Sequence, residues 1–306
     1  MRTSVVIRSR DEAPRLRLTL MSLIGQAGLD EVVVVDDGSQ DATPDVLAAA
    51  TRDLPLTCLR HATPQGRSAA TNAGATTARG DLLIFLDGDT LSGPGLVAAH
   101  VAAHADADDR IGRGETWNLR CTRFLSDPEH GVFWAHEAHR ATLMSTAERT
   151  AACVTPAQIR DDFDAIRRRA APGVYPGAGP RRLHEVEMQA LREHPTSSRL
   201  WAAASGSNLS VRRDRFLAAG GLDAAIDLNE HRELAYRLCA GGACLVPVEG
   251  AFTYHLTHRT GWRDPLTDLG WAGVFADRHP DAPLDALAQF WRTVSAPEAS
   301  AAFFAA

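Results

Sequence analysis

Leu82-Leu83-Ile84-Phe85-Leu86-Asp87-Gly88-Asp89-Thr90 is the stretch on which the reading turns. Five apolar residues in a row, cut off by an acidic turn, fit a strand buried on both faces of a parallel sheet. An earlier run, Glu31-Val32-Val33-Val34-Val35-Asp36, has the same form and ends in Asp36-Asp37-Gly38-Ser39. Thr3–Arg8 and Leu54–Arg60 complete a set of four strands. Between them Leu16, Leu20, Leu23 and Ile24 recur at helical spacing, Thr43-Pro44 opens a helix with the threonine as N-cap, and Ser68–Thr77 reads as a short Ala-rich helix. Strands alternating with helices predict an α/β fold with an open, mostly parallel sheet. In such sheets ligands bind beyond the carboxyl ends of the strands. Both acidic loops, 36–39 and 87–89, therefore fall on one rim.

Farther along, regularity lapses. Residues 106–200 read as a helical insertion rich in charge and histidine, with a Pro/Gly loop at 171–180. It resumes with a strand at Asn208–Arg213, a helix at Glu230–Ala240, strands near Cys244–Val246 and Phe252–His255, and helical segments at about 264–278 and 283–294. No repeat or linker divides the chain. The reading is one domain over 1–306, with a nucleotide-binding half at 1–105, the insertion at 106–200, a base and acceptor half at 201–262, and C-terminal helices at 263–306.

Composition narrows the class. The apolar share is 45% and the charged share 23% of 306 residues, ordinary for a globular chain. A net charge of −6 argues against nucleic acid as partner. Lysine is absent, so Schiff-base chemistry has no nucleophile. Five cysteines without a CxxC pair fit reduced thiols rather than a disulfide framework. No apolar run reaches the ~18 residues of a membrane span, and the N-terminus lacks the form of a signal peptide. The expected location is cytoplasmic, or peripheral to a membrane.

Each motif has a plain alternative. Asp87-Gly88-Asp89 is either a polar turn or a site for a hard cation shared with substrate phosphates. Asp36-Asp37-Gly38-Ser39 is either a strand-to-helix turn, or one in which one carboxylate takes N–H bonds from a base or ribose while the other braces the loop. His255 is either a strand-end histidine satisfied by backbone or a ligand, and the same holds with less force for His258.

Taken in order, the segments 4–12, 33–39, 66–74, 79–89 and 208–223 resemble the family 2 glycosyltransferases of GT-A fold. The resemblance covers about 1–105 and 200–260. It implies that Ser9 and Asp37 line the nucleobase and ribose pocket with Arg67 nearby, and that Asp11 and Gly88 join the nucleotide-sugar site. It also implies Asp87 near the ribose or sugar and alongside the metal, Asp89 as main ligand of Mn2+ or Mg2+, and His255 as a further ligand. In the family an acidic pair followed by x-[Asp/Glu]-Leu-x-x-Arg supplies the catalytic base. Here that segment begins Glu230-His231, histidine standing where aspartate is usual. Glu230 is the expected base, with its pKa raised by partial burial, and His231 the alternative. The implied reaction moves a sugar from a UDP-, GDP- or dTDP-linked donor to a small-molecule, glycan or peptide acceptor, with inversion. A nucleotidyltransferase is the competing enzyme, although the loop after the first strand lacks its glycines. A nucleotide-sugar-binding module without catalysis is the competing non-enzyme.

Overall fold

The computed structural model describes residues 1–172, 183–258, 263–294 and 302–305. The first half alternates as the pattern predicts: β1 (Thr3–Ser9), α1 (Ala13–Leu23), β2 (Glu31–Asp36), α2 (Thr43–Ala50), β3 (Leu56–Arg60), α3 (Arg67–Thr77) and β4 (Leu82–Asp87). Every residue of β2 is buried, as are Leu82–Leu86 of β4, which accounts for their unbroken apolar runs. The start of α2 differs in detail. Ala42 occupies the N-cap, and the Asp41 carboxylate caps from outside by accepting the Thr43 amide at 3.0 Å and hydroxyl at 2.6 Å.

Beyond β4 come β5 (Thr90–Ser92), α4 (Leu96–Ala103) and β6 (Arg110–Asn118). A hairpin, β7 (Leu125–Asp127) and β8 (Val132–Phe133), leads into short helices α5 (Arg140–Leu143), α6 (Thr146–Ala152), α7 (Pro156–Asp161) and α8 (Phe163–Arg167). Capping boxes open α6 (Ser145 with Glu148) and α7 (Thr155 with Gln158). Then follow β9 (Ala171–Pro172), α9 (Leu183–Glu193), β10 (Leu209–Arg212), α10 (Arg213–Ala218), α11 (Glu230–Ala240), β11 (Cys244–His255), α12 (Gly270–Arg278) and α13 (Leu284–Thr293). Of the Pro/Gly loop expected at 171–180, residues 173–180 lie outside the described residues.

The main sheet runs β3-β2-β1-β4-β10-β6-β11-β5, with β9 on β6. Its first half is parallel; from β10 onward antiparallel pairs enter, and only β6 with β11 is parallel there. The two strands expected near 244–255 are one strand with a register shift between Pro247 and Phe252.

Strand β6 lies inside the stretch read as insertion. Its sequence, Arg-Ile-Gly-Arg-Gly-Glu-Thr-Trp-Asn, has no apolar run because its neighbours come very close. A Cβ on Gly114 would stand 2.3 Å from Asn208 Oδ1 and 2.4 Å from the Ala251 carbonyl oxygen. The C-terminal helices are part of the body: Trp271, Phe275, Leu287, Phe290 and Trp291 join Trp201 and Leu234 in one buried cluster.

Helix α4 is tied to β10 by polar groups rather than by apolar packing alone. His100 bonds Ser210 Oγ and Asn208 Oδ1, each at 2.8 Å, and His104 bonds Ser210 Oγ at 2.9 Å. Burial, the leading cause for each, holds both imidazoles down to about 4 from an ordinary 6.5. The folded chain thus refuses protons that the unfolded chain accepts near pH 6.5, so stability is full above that pH and is lost as pH falls toward 4. Melting temperature should drop steadily across this window, and His104→Gln should flatten the slope. A melting temperature constant from pH 7 to 4.5 would show that these histidines do not control it.

Candidate active site

A cleft of ≈ 720 Å³ opens along the carboxyl ends of β1, β2 and β4, a size suited to a nucleotide-sugar. Loop geometry builds its first wall. Asp11 takes a left-handed backbone, φ 52°, which a short polar side chain tolerates. Its amide donates to Ser39 Oγ at 3.0 Å and its carboxylate accepts the Gln40 amide at 2.7 Å, stitching the loops after β1 and β2 together.

The two carboxylates after β2 divide their work. Asp36 accepts the Ser39 amide at 2.8 Å and pairs with Arg60 at 3.0 Å, so it braces its own turn. Asp37 faces the cleft and accepts the amides of Gln65 at 2.8 Å and Gly66 at 2.9 Å, with His61 Nδ1 at 2.7 Å. Burial works to raise the Asp37 carboxyl, but these three partners hold it below the usual carboxylate range. Arg67, the first residue of α3, stands exposed on the same wall.

Ser9 donates to Glu12 Oε1 at 2.9 Å, and both press on Gly88. A Cβ on Gly88 would stand 2.3 Å from that oxygen and 2.7 Å from Ser9 Oγ, so only glycine leaves room. Burial, then the negative charge of Asp89, pushes the Glu12 carboxyl well above its ordinary range. Sequence reasoning passed over Glu12, although it closes the 4–12 motif.

Asp89 is buried at the cleft floor. Its Oδ2 lies 2.8 Å from His258 Nε2 and 3.1 Å from His255 Nε2, and one ligand atom from each of the three residues falls within 4.8 Å of the others. The sheet explains the convergence: β11 runs antiparallel to β5 with His255 opposite Thr90, and the Leu256 amide donates to the Asp89 carbonyl at 2.8 Å. Burial alone would raise the Asp89 carboxyl; His255 and then His258 hold it well below. His255 Nδ1 lies 3.2 Å from Asn118 Oδ1, which leaves Nε2 as the ring's coordinating nitrogen. Asp87 does not join the cluster. Its Oδ1 accepts from Arg8 Nε at 3.0 Å, because Arg8 is its register partner on the neighbouring β1. His258, the weaker of the two histidines in the sequence reading, sits in Asp87's expected place.

Across the cleft Glu230 opens α11, behind Asn229 in a left-handed conformation, φ 63°. Arg8 Nη1 donates to Glu230 Oε1 at 2.8 Å, so one guanidinium joins Asp87 to Glu230. This reverses the expected shift. Burial would raise the Glu230 carboxyl, but Arg8, His231 and Arg67 hold it well below the ordinary value. His231, next on the helix, is half-buried; its Nδ1 lies 3.8 Å from Glu230 Oε2. Ser9, Asp11, Asp37, Arg67, Asp87, Asp89, Glu230, His231 and His255 all line the one cleft. Residues 36–39 were legible as a site only because sheet geometry sets them beside 87–89.

Residues 4–123 match the family model described as Glycosyl transferase family 2. Over 119 residues the chain is 36% identical to the uncharacterized glycosyltransferase YfnE of Bacillus subtilis, a match covering 38% of this chain and 30% of that protein. The match therefore spans less than a third of that relative's length. Two solved structures share the fold. The mannosyltransferase PcManGT of Pyrobaculum calidifontis, in complex with GDP-Man and Mn2+, is 16% identical at TM-score 0.59, covering 99% of this chain and 74% of that one. S. aureus TarS 1-349, in complex with UDP-GlcNAc, is 14% identical at TM-score 0.59, covering 96% and 72%. Among the described residues no helix is long and apolar enough to cross a membrane. Residues 4–123 thus match family 2 glycosyltransferases in sequence, and the sheet shares the GT-A fold of solved glycosyltransferases.

Proposed function

We propose that the chain transfers a sugar from a nucleotide-diphosphate donor to an acceptor nucleophile, with a divalent cation at Asp89 and with inversion at the anomeric carbon. The observation that carries this reading is the convergence of Asp89, His255 and His258 on the cleft floor. One carboxylate and two imidazoles fit Mn2+ better than Mg2+, which prefers an all-oxygen shell. When bound, such an ion acts as a Lewis acid toward a leaving diphosphate. The structural relatives whose complexes contain GDP-Man with Mn2+ and UDP-GlcNAc support the donor class.

The chain's own groups supply the rest. Ser9, Asp11, Asp37 and Arg67 form the wall for base and ribose, at the rim where the parallel half of the sheet ends. Asp37 has most of its lone pairs taken, which makes it a rigid acceptor rather than an adaptable one. Glu230 takes the acceptor's proton as the new bond forms. Its ionised state is secured by Arg8, so it is ready to accept a proton at neutral pH but binds it weakly. Such a base suits a reaction in which the acceptor proton leaves late, after most of the bond to the leaving group has broken. Glu230 stands across Arg8 from Asp87; inversion by direct displacement requires it to reach the acceptor on the side of the sugar away from the diphosphate.

A thermal-shift series with UDP, GDP and dTDP, each with Mn2+ or with EDTA, tests the reading. A ligand at about 100 times its Kd stabilises the fold by about 2.7 kcal/mol. At least one diphosphate should raise the melting temperature, and only with Mn2+ present. Failure of all three under both conditions would reject the donor class.

A further inference from the structure

The side of the cleft formed by α11 holds more order than a lone base requires. His231 Nε2 lies 2.8 Å from Arg232 Nη1. A guanidinium carries five donors, no acceptor, and keeps its proton, so Nε2 has to be the accepting nitrogen. A neutral imidazole has one donor and one acceptor nitrogen. Its hydrogen therefore sits on Nδ1, the atom that faces Glu230 Oε2 at 3.8 Å and has no hydrogen-bond partner.

Arg232 cannot turn away from this task. It is 5% exposed; its Nε donates to the Ala202 carbonyl, Nη1 also to Asn229 Oδ1, and Nη2 to Glu187 Oε1, each at 2.8 Å. Its plane lies 5.2 Å from the Trp291 ring, which brings α13 to bear on the same contact. On the other side the Gly206 backbone passes over the imidazole: a Cβ there would stand 3.1 Å from Nδ1 and 3.3 Å from Arg8 Nη2. The ring is held at both ends.

Resting on the glycosyltransferase reading above, we infer that Arg232 is a positioning residue: it locks His231 as the Nδ1–H tautomer, making the imidazole a hydrogen-bond donor aimed at Glu230 and not the base. A histidine at the position where the family pattern has aspartate then keeps that position polar without taking over proton abstraction. At 3.8 Å the contact is longer than a hydrogen bond, and a movement of about 1 Å closes it. The charged groups facing the ring are Arg8 from β1 and Glu230 and Arg232 from α11. Burial, the strongest influence, keeps the ring neutral against the pull of Glu230.

Nitrogen-15 NMR of the histidine rings in the free, full-length protein reads the tautomer directly, with His231 assigned by its loss in His231→Asn. The expected spectrum has Nδ1 protonated and Nε2 bare. Arg232→Met keeps the stem and removes the donors; it should shift the ring toward the Nε2–H form, move its titration up toward the ordinary 6.5, and lower kcat about tenfold or more with donor KM unchanged. An Nε2–H ring in the wild-type protein would overturn the inference, as would ring nitrogens indifferent to Arg232→Met. If that variant does not fold, the wild-type spectrum alone decides. Because no donor is present, this result can fail while Mn2+-dependent nucleotide binding stands, and the reverse.

Discussion

Asp89→Ala should abolish sugar transfer, by about three orders of magnitude or more, while leaving the folded chain intact. A cation stabilising the leaving diphosphate supplies several kcal/mol to the transition state, and each 1.36 kcal/mol is a factor of ten in rate. Asp89 is the residue that both histidines approach, so its removal leaves two neutral imidazoles and no charge to hold the ion. The fold survives because what Asp89 contributes to the sheet is its backbone: the carbonyl still accepts the Leu256 amide at 2.8 Å. Circular dichroism should be unchanged, and calorimetric titration with Mn2+ should lose its heat. Full activity of the wild-type enzyme in EDTA would sink the metal assignment altogether.

Glu230→Gln should lower turnover by roughly two to four orders of magnitude, with donor affinity retained. Glutamine keeps an oxygen for Arg8 Nη1, so the half-buried guanidinium is not stranded and the change isolates basicity from structure. His231→Asn should cost far less, because the amide keeps a donor on the Glu230 side. The acid limb of kcat should lie below the ordinary carboxylate range, since Arg8, His231 and Arg67 together hold the Glu230 carboxyl well below its ordinary value. If the histidine variant is the inactive one and activity instead fails near pH 6.5, His231 is the base and Arg232 cannot be what fixes its tautomer.

How far these arguments were open to sequence reading differs from element to element. The strands β1, β2 and β4 and the helix at 230–240 were legible because burial on both faces, or on one helical stripe, writes an apolar pattern. Strand β6 was not, because close backbone contact with Asn208 and Ala251 selects glycine there, and a buried ion pair 2.8 Å long selects Arg113 opposite Glu187. Neither choice is periodic. Glu12 was hidden for a similar reason: its role comes from lying against Gly88, 76 positions away in the chain.

The sequence by itself determined the parallel half of the sheet, the rim on which both acidic loops meet, and the candidates Asp89, Glu230 and His231. The strands, the rim and Asp89 follow from local rules, since a strand's burial and its terminal turn are set by neighbouring residues, whereas Glu230 and His231 came from the family resemblance. Only the tertiary structure decided their chemistry. It gave Asp87 to Arg8 through the β1–β4 register, in which the two stand opposite, and His258 to Asp89 through the β11–β5 pairing, about 160 positions long. It reversed the direction in which Glu230 titrates, because Arg8, 222 positions away, together with His231 and Arg67 outweighs burial. Proton affinity depends on which charges lie within a few ångströms, and the order of residues along a chain does not contain that distance.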